Sequence, residues 1–495
     1  MDRLVSLPAM GPQMKGMNMK KKFWLVLAAA LALVAGAALP ALADNQISGR
    51  VKLFSSLYLT DNLNGQYLTH KAGEFGLRRL ELRFSLAGNV SDKVSYSLRA
   101  DGFASPDSLS LADNAGLFPE ASSLGTPQGS EPFELVLYEA SVKVSGFLLK
   151  NLDLTVGKQR ISWGTADKMN VVDNLNPVDL ANFFSFDPDY FAERRPQTAL
   201  NLEYYLSETT KLQLVWLLER QYSPLPKGFA TLLAGAGMAG TVHLESQEPL
   251  LKNTSFGLRF STALGKMDLG LSYYSGNFHL PVMLGLAWSP TGTDLGLYFG
   301  YPGQQVFGLD LAGEVAGVGL WAEAAYVVPE RWQGFLKMPV IINGELMTIN
   351  QTFPVFERGF TRFVLGADTT LAIGSGVYLN VQYLRGLFDE SSHASLYRQT
   401  FLVQKGMFFG ELEDYVMGRA EYKFLRGDLK LELSSLLELA DGKSAWVFMP
   451  GLEYRVSDAL ALQAGTFWAA GNETGTKFGQ FKKDRLAYFA FKVSF

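Results

Sequence analysis

The side chains that could do chemistry in this sequence are concentrated in one stretch, and they are carboxylates, guanidinium groups and aromatic rings rather than nucleophiles. Between Ile161 and Pro196, Asp167, Asp173, Asp179, Asp187, Asp189 and Glu193 stand against Lys168, Arg194 and Arg195, a local excess of three negative charges. Phe183, Phe184, Phe186, Tyr190 and Phe191 lie among them, and Pro177, Pro188 and Pro196 break any regular element. Fixed charge in a narrow, low-dielectric passage selects solutes by sign, and the rings add an apolar contact. The same groups could instead latch the segment to its surroundings through Asp-to-Arg pairs, which are often purely structural.

Enzyme chemistry finds little support. Cysteine is absent, which excludes thiolate nucleophiles, thiolate metal sites and disulfides. His70, His243, His279 and His393 form no H-E-x-x-H motif, no G-x-S-x-G elbow exists, and Ser275 with His279 is the nearest Ser–His pairing. Gly235-Ala236-Gly237-Met238-Ala239-Gly240 matches G-x-G-x-x-G, but no βαβ pattern surrounds it and no acidic residue follows about 20 positions on. We therefore expect no cofactor and no metal. Nor does the net charge of −4 show the basic excess of a nucleic-acid-binding protein.

The elements that must position the charged segment begin after an export signal. Lys20, Lys21 and Lys22 precede an apolar run from Phe23 to Leu39, and Ala41-Leu42-Ala43 supplies small residues at −3 and −1, which predicts a signal peptide over 1–43 cleaved after Ala43. Translation could start at Met14, Met17 or Met19. Removing residues 1–43, which hold five Lys/Arg and one Asp, moves the formal charge from −4 to −8. Residues 44–495 read as a single unit.

That unit reads as strands. Leu80, Leu82, Phe84 and Leu86 interleave with Arg79, Glu81, Arg83 and Ser85, and Val94, Tyr96, Leu98 and Ala100 interleave with Ser95, Ser97, Arg99 and Asp101. A period of two gives each strand one apolar and one polar face. The pattern recurs to the end and predicts an all-β fold, a transmembrane antiparallel β-barrel of about 18 strands, within a range of 16 to 18. Short turns such as Gly374-Ser375-Gly376 and Ser457-Asp458 alternate with long loops at 102–133, 221–254, 279–304, 328–360, 387–414 and 469–484. Short turns on one side of a membrane and long loops on the other follow from barrel insertion. In hydrocarbon an unpaired sheet edge is excluded, so the first strand must meet the last. Closure turns the polar faces inward and makes Arg50, Arg79, Glu81, Arg83, Arg99, Asp101, Arg259, Arg362 and Arg419 the expected lumen wall, accompanied by Asp268, Asp368 and Glu421. No N-terminal domain precedes the first strand as a plug, which leaves a loop-constricted pore.

Two resemblances sharpen this. The final strand carries Phe489, Phe491, Val493 and Phe495 on one face and resembles the C-terminal targeting signal of bacterial outer-membrane proteins, which implies recognition of Phe491 and Phe495 by the barrel-assembly machinery. Trp163-Gly164, Asp173, Asn176-Pro177-Val178-Asp179 and Arg194-Arg195-Pro196 are similar to the signature of an uncharacterised outer-membrane porin-like family, in which a G-R-Q strand runs into W-G and then N-P-x-D. Here that strand reads Gly157-Lys158-Gln159-Arg160, a small departure. Gly308-Leu309-Asp310 and Ala322-Glu323-Ala324-Ala325-Tyr326 are similar to later strands of that family. The resemblance implies a barrel and a transport role, without a substrate.

The expected function is an outer-membrane channel for passive passage of a small solute, polar or partly apolar, reached after secretion across the inner membrane. Segment 163–196, within a candidate lumenal loop 161–196, would gate or narrow it through Asp167, Lys168, Asp173, Asp179, Phe183, Phe184, Asp187, Asp189, Arg194 and Arg195. The alternative is a non-conducting binding or adhesion barrel acting through its extracellular loops. The expected partners are the lipid bilayer, the assembly machinery and the permeant, with a homo-oligomer left open.

Overall fold

A computed structural model describes residues 45–63, 69–105, 133–180, 186–190, 193–225, 241–244, 254–289, 294–343 and 345–495. The predicted signal peptide, Phe183, Phe184, Phe191 and the glycine-rich run 235–240 lie outside them.

Among the described residues, 18 strands form one closed sheet. Every barrel strand pairs antiparallel with its neighbours in the chain, from Asn45–Tyr58 against Phe75–Ser91 onward to Leu460–Gly471 against Leu486–Ser494. The ring closes between Asn45–Tyr58 and Leu486–Ser494, in register from Arg50 opposite Ser494 to Tyr58 opposite Leu486. The Gly49 and Phe495 backbones exchange N–H···O bonds of 2.8 and 3.0 Å beyond that ladder. Gly49 is required there because a Cβ would lie 2.6 Å from the Phe495 ring. Phe491 lies opposite Leu53, so both terminal aromatics sit on the closing seam.

Alternation decides which face looks where. Leu214 and Leu258 stand opposite one another and are 44% and 43% exposed, whereas the adjacent pair Gln213 and Arg259 turns inward. The same holds for outward Leu271 and Leu309 beside inward Asp310. An apolar belt outside and polar side chains inside is the arrangement a bilayer demands of a barrel. No helix of the described residues is long and apolar enough to cross a membrane; the strands do so.

The connections at one end are short, as in the two-residue turn Ala316-Gly317, where both residues take positive φ as a tight hairpin requires. At the other end they are long, with one exception: Asp441-Gly442 joins Leu429–Ala440 to Lys443–Arg455 in two residues of positive φ.

Connections 221–254, 279–304 and 328–360, read from the sequence only as long loops, carry strands of their own. They contribute Thr241–Leu244, Val282–Trp288, Leu295–Gly300, Gln333–Ile342 and Glu345–Pro354 to a second, five-stranded sheet. Two of its pairings are parallel and join strands from different loops, Gly285 opposite Phe335 and Gly296 opposite Thr241. Such non-local pairing leaves no local sequence signal, and runs such as VMLGLAW and LGLYFG do not alternate, since they stand outside both lipid and lumen. A short helix, Ser395–Phe401, packs near this sheet, with the Tyr397 hydroxyl donating to the Met283 carbonyl at 2.7 Å.

Candidate functional site

The described residues of the connection between strands Leu152–Gln159 and Gln197–Tyr205, which are 160–180, 186–190 and 193–196, lie inside the barrel. They touch wall strands on opposite sides of the ring, so the connection crosses the lumen. A chain crossing this space has no ladder partner, and each of its backbone N–H and C=O groups needs one. Glu323, buried on the wall strand Val318–Pro329, accepts from the N–H groups of Thr165, Ala166 and Val171 at 2.5, 2.7 and 2.9 Å. Gln382 receives the Asp167 N–H at 3.2 Å and donates to its carbonyl at 3.0 Å. Arg194 serves the carbonyls, donating to Asp173, Asn176 and Asn170 at 2.7, 3.0 and 2.8 Å. One carboxylate and one guanidinium thus replace the missing sheet.

The same logic explains the sequence signature. Trp163 is buried, donates to Gln213 at 2.9 Å, and lies over the wall residue Gly257, where a Cβ would meet its ring at 2.5 Å. Gly164, at φ +87°, passes so close to Glu323 that a Cβ would sit 2.4 Å from its carboxylate. Asn176 donates to Ile161 at 2.5 Å and to Asp173 at 3.1 Å, while Asp173 and Arg194 lie 3.5 Å apart and Asp179 accepts from Arg195 at 2.9 Å. The W-G, N-P-x-D and Arg-Arg elements brace one another.

The acidic tip meets the seam of the barrel. Lys52 donates to Asp187 at 2.8 Å and to Asp189 at 2.9 Å, Arg79 reaches Asp187 at 3.2 Å, and Arg50 and Lys492 lie 3.3 and 3.5 Å from Asp189. Tyr190 donates to Glu81 at 2.9 Å, and Glu81 pairs with Arg79 at 2.6 Å. Burial opposes ionisation of Asp189, but the attraction of Lys52, Lys492 and Arg50 outweighs it and holds the carboxyl below the usual range. Further along, Glu193 lies 3.5 Å from Arg99 and 4.0 Å from Arg83, which also bind Asp101 at 3.0 Å each. Asp167 reaches the opposite wall at Arg419, 3.0 Å away.

The sequence-predicted residues are therefore mostly brought together, and as partners of one another. Arg259 is occupied within the wall by Asp310, at 2.6 Å, and buried Arg362 donates to the Glu390 carbonyl. Asp368 accepts from Tyr378 at 2.9 Å, Glu421 lies 3.4 Å from Arg419, and Asp268 is exposed. Lys168 borders the open part of the lumen. Lys52 and Glu323 were missed as site residues, although Lys52 shares the period-two face of Arg50 and Glu323 is the one carboxylate of Val318–Pro329. Ser275 and His279 share no hydrogen bond. Strand alternation turns Ser275 away from Tyr274, whose ring faces His279, and burial, with Arg194 nearby, pushes the His279 pKa down to about 3.

On its other side the segment borders a cavity of about 360 Å³. Its wall is formed by the inward faces of neighbouring strands, among them Asp414–Phe424, Leu429–Ala440, Lys443–Arg455 and Leu460–Gly471. Towards the long connections that wall is apolar: Met417, Leu436, Val447, Met449 and Phe467. Towards the short turns it becomes a mixed ladder of Arg419, Glu421, Lys430, Glu432 and Glu453. Phe186, at the tip of the segment, stacks on Phe467 with centroids 3.9 Å apart.

A buried knot ties together the two connections beside this cavity. Lys477 donates to Asp389 at 2.9 Å and Glu390 at 2.8 Å, and Glu438 accepts the N–H groups of Lys477 and Phe478 at 2.5 and 2.8 Å. Glu413 receives the Gly406 N–H and the Tyr415 hydroxyl. Burial, with Glu438 and Glu390 alongside, pushes the Glu413 carboxyl up to about 9. No group of three or more His, Asp or Glu among the described residues is arranged to hold a metal ion.

A closed 18-stranded sheet, apolar outside and charged within, with a chain segment laid through its lumen, defines a porin-like outer-membrane β-barrel. The chain belongs to the family described as protein of unknown function DUF1302, whose model matches residues 144–440. That span contains the whole crossing segment. Solved structures similar to it include OccAB4 of Acinetobacter baumannii, at 10% identity over 91% of this chain and 98% of that one with a TM-score of 0.49. OccK9 (OpdG) of Pseudomonas aeruginosa is 11% identical over 92% and 98%, with a TM-score of 0.49. Wzi of Escherichia coli, a carbohydrate-binding barrel involved in group 1 capsule assembly, is 13% identical over 97% and 90%, with a TM-score of 0.45. No curated protein matches the chain. No enzyme family is indicated.

Proposed function

We propose that this barrel is a channel for passive passage of a small solute that is partly apolar, narrowed by segment 163–196. The observation that carries the reading is the cavity beside the segment, bordered by both apolar and charged wall positions. A wide barrel holds water wherever protein does not fill its lumen. Here the described residues of the segment occupy one side and a cavity remains beside them. On this reading residues 1–43 direct export and are removed, residues 44–495 insert as one barrel, and Phe491 and Phe495 are read by the assembly machinery.

Planar-bilayer recording tests the proposal. The refolded protein should conduct, and deletion of residues 170–192 should raise single-channel conductance about twofold or more, because the widened lumen admits more water and ions. Unchanged conductance would count against the segment as the constriction. The second sheet favours a competing reading, a closed barrel that binds a surface or partner: its hairpin Gln333–Pro354 exposes Ile341, Leu346, Met347 and Ile349. Liposome swelling separates the two, since only a channel releases entrapped solute.

A further inference from the structure

We infer that the cavity beside the crossing segment is a binding site for an amphiphile, with its hydrocarbon body against Met417, Leu436, Val447, Met449 and Phe467 and its polar head on the charged ladder. The inference rests on the lumen being a solute path and names the class of solute.

Inward positions of a water-filled barrel are ordinarily polar, because apolar surface facing water is unfavourable. At the long-connection end of the ring many strands carry apolar inward positions, and there they are covered: Val215, Leu217, Val306, Val327, Val364 and Leu384 are buried, and small positions serve as sockets, Gly257 receiving Trp163 and Leu175 and Gly308 receiving Val172. On four adjoining strands the apolar inward positions border the cavity instead. Val447 stands opposite Leu436, Met449 opposite Ser434, and Phe467 continues the row beside Met449. Among the described residues of the segment, Phe186 stacks on Phe467, and Met169 and Leu180 also border the cavity that this apolar wall faces.

The polarity then changes within one step of register. Met417 is followed on the inward face by Arg419 and Glu421, and Leu436 is preceded by Ser434 and Glu432. Arg419 lies 3.4 Å from Glu421 and Lys430 lies 3.2 Å from Glu432, so donors and acceptors of both signs are within reach of one head group. The hydrocarbon supplies affinity and the ladder supplies orientation. A volume near 360 Å³ is at the lower end of small-molecule sites.

The test uses straight-chain alkanoates, from butanoate to octanoate, as blockers of single-channel current. Each methylene withdrawn from water should strengthen block about 3- to 4-fold, so octanoate should block on the order of 100-fold more tightly than butanoate. The doubly substituted L436N/V447N protein should lose at least about tenfold of the octanoate block and none of the butanoate block; partition of octanoate into lipid is the same for both proteins and cancels. Block that is flat with chain length, or unaltered by the substitutions, overturns the site. Should the protein carry no current, the channel reading fails and the site is judged separately by photolabelling the wild-type protein in nanodiscs with a diazirine-bearing octanoate. Label on the peptides holding Met417 and Met449 keeps the site, and label confined to lipid-facing residues removes it. The same photolabelling decides if L436N/V447N does not fold.

Discussion

The two sides of this lumen obey the same outward rule and opposite inward ones. On the side of Asn45–Tyr58, Phe75–Ser91 and Val94–Ala104, inward residues are charged, and the crossing segment meets them with Asp187, Asp189 and Glu193. On the side of Asp414–Phe424 through Leu460–Gly471, the inward residues that border the cavity above the charged ladder are apolar, and the cavity remains. Taking an ion out of water costs several kcal/mol unless a partner is supplied. The charged wall therefore demands to be covered, and the apolar wall can stay open for a ligand.

The sharpest way to break that contrast is Lys52→Met. It strands Asp187 and Asp189 against a wall that has lost its central cation, and removal of one partner from a buried pair costs about 3–5 kcal/mol. The thermal midpoint should fall. Adding Asp187→Asn should recover part of the loss, and a double-mutant cycle with no coupling would show that the tip is held by packing alone. Glu323→Gln should be milder. The amide oxygen still accepts from the Thr165 and Ala166 N–H groups, but its NH2 leaves the Val171 N–H without an acceptor, at about 1–3 kcal/mol, and the substitution should leave alkanoate block on the far side intact. Altered block would mean that the two sides are mechanically one unit.

The smallest effect concerns the knot over the open side. Glu413 holds its proton to about pH 9 in the folded protein, against an ordinary carboxyl pKa of 4.5 in the unfolded chain. Asp389, Glu390, Glu438, Lys477, Tyr415 and Arg362 are the titratable or charged groups around it. A raised folded pKa contributes stability that is complete below the unfolded value and declines as pH rises through the folded one. Protease cleavage of connections 386–413 and 472–485 should therefore become easier between about pH 5 and 9. Glu413→Gln should flatten that dependence; an unchanged pH profile would assign it elsewhere.

Much of the barrel was legible before any coordinates. The alternations read from Arg79 to Leu86 and from Val94 to Asp101 fall within Phe75–Ser91 and Val94–Ala104, because lipid and lumen impose alternation on every spanning residue. The second sheet was not legible, since its strands answer to neither solvent and pair across loops far apart in the chain. Within the candidate site, the charged residues were visible as types but not as pairs. Asp173 and Arg194 are 21 positions apart, and Lys52 and Asp187 are 135 apart, so nothing local reveals that each neutralises the other.

By itself the sequence determined that this chain forms a closed, lipid-facing ring of strands, because a period of two is a local property that each residue carries with it. It also set which charges exist between Ile161 and Pro196. Only the tertiary structure decided that most of those charges are spent on bracing, that Glu323 and Arg194 replace a missing ladder, and that the remaining space lies against apolar side chains. Those outcomes depend on which inward face the segment meets after closure, and closure brings together residues that the chain keeps hundreds of positions apart.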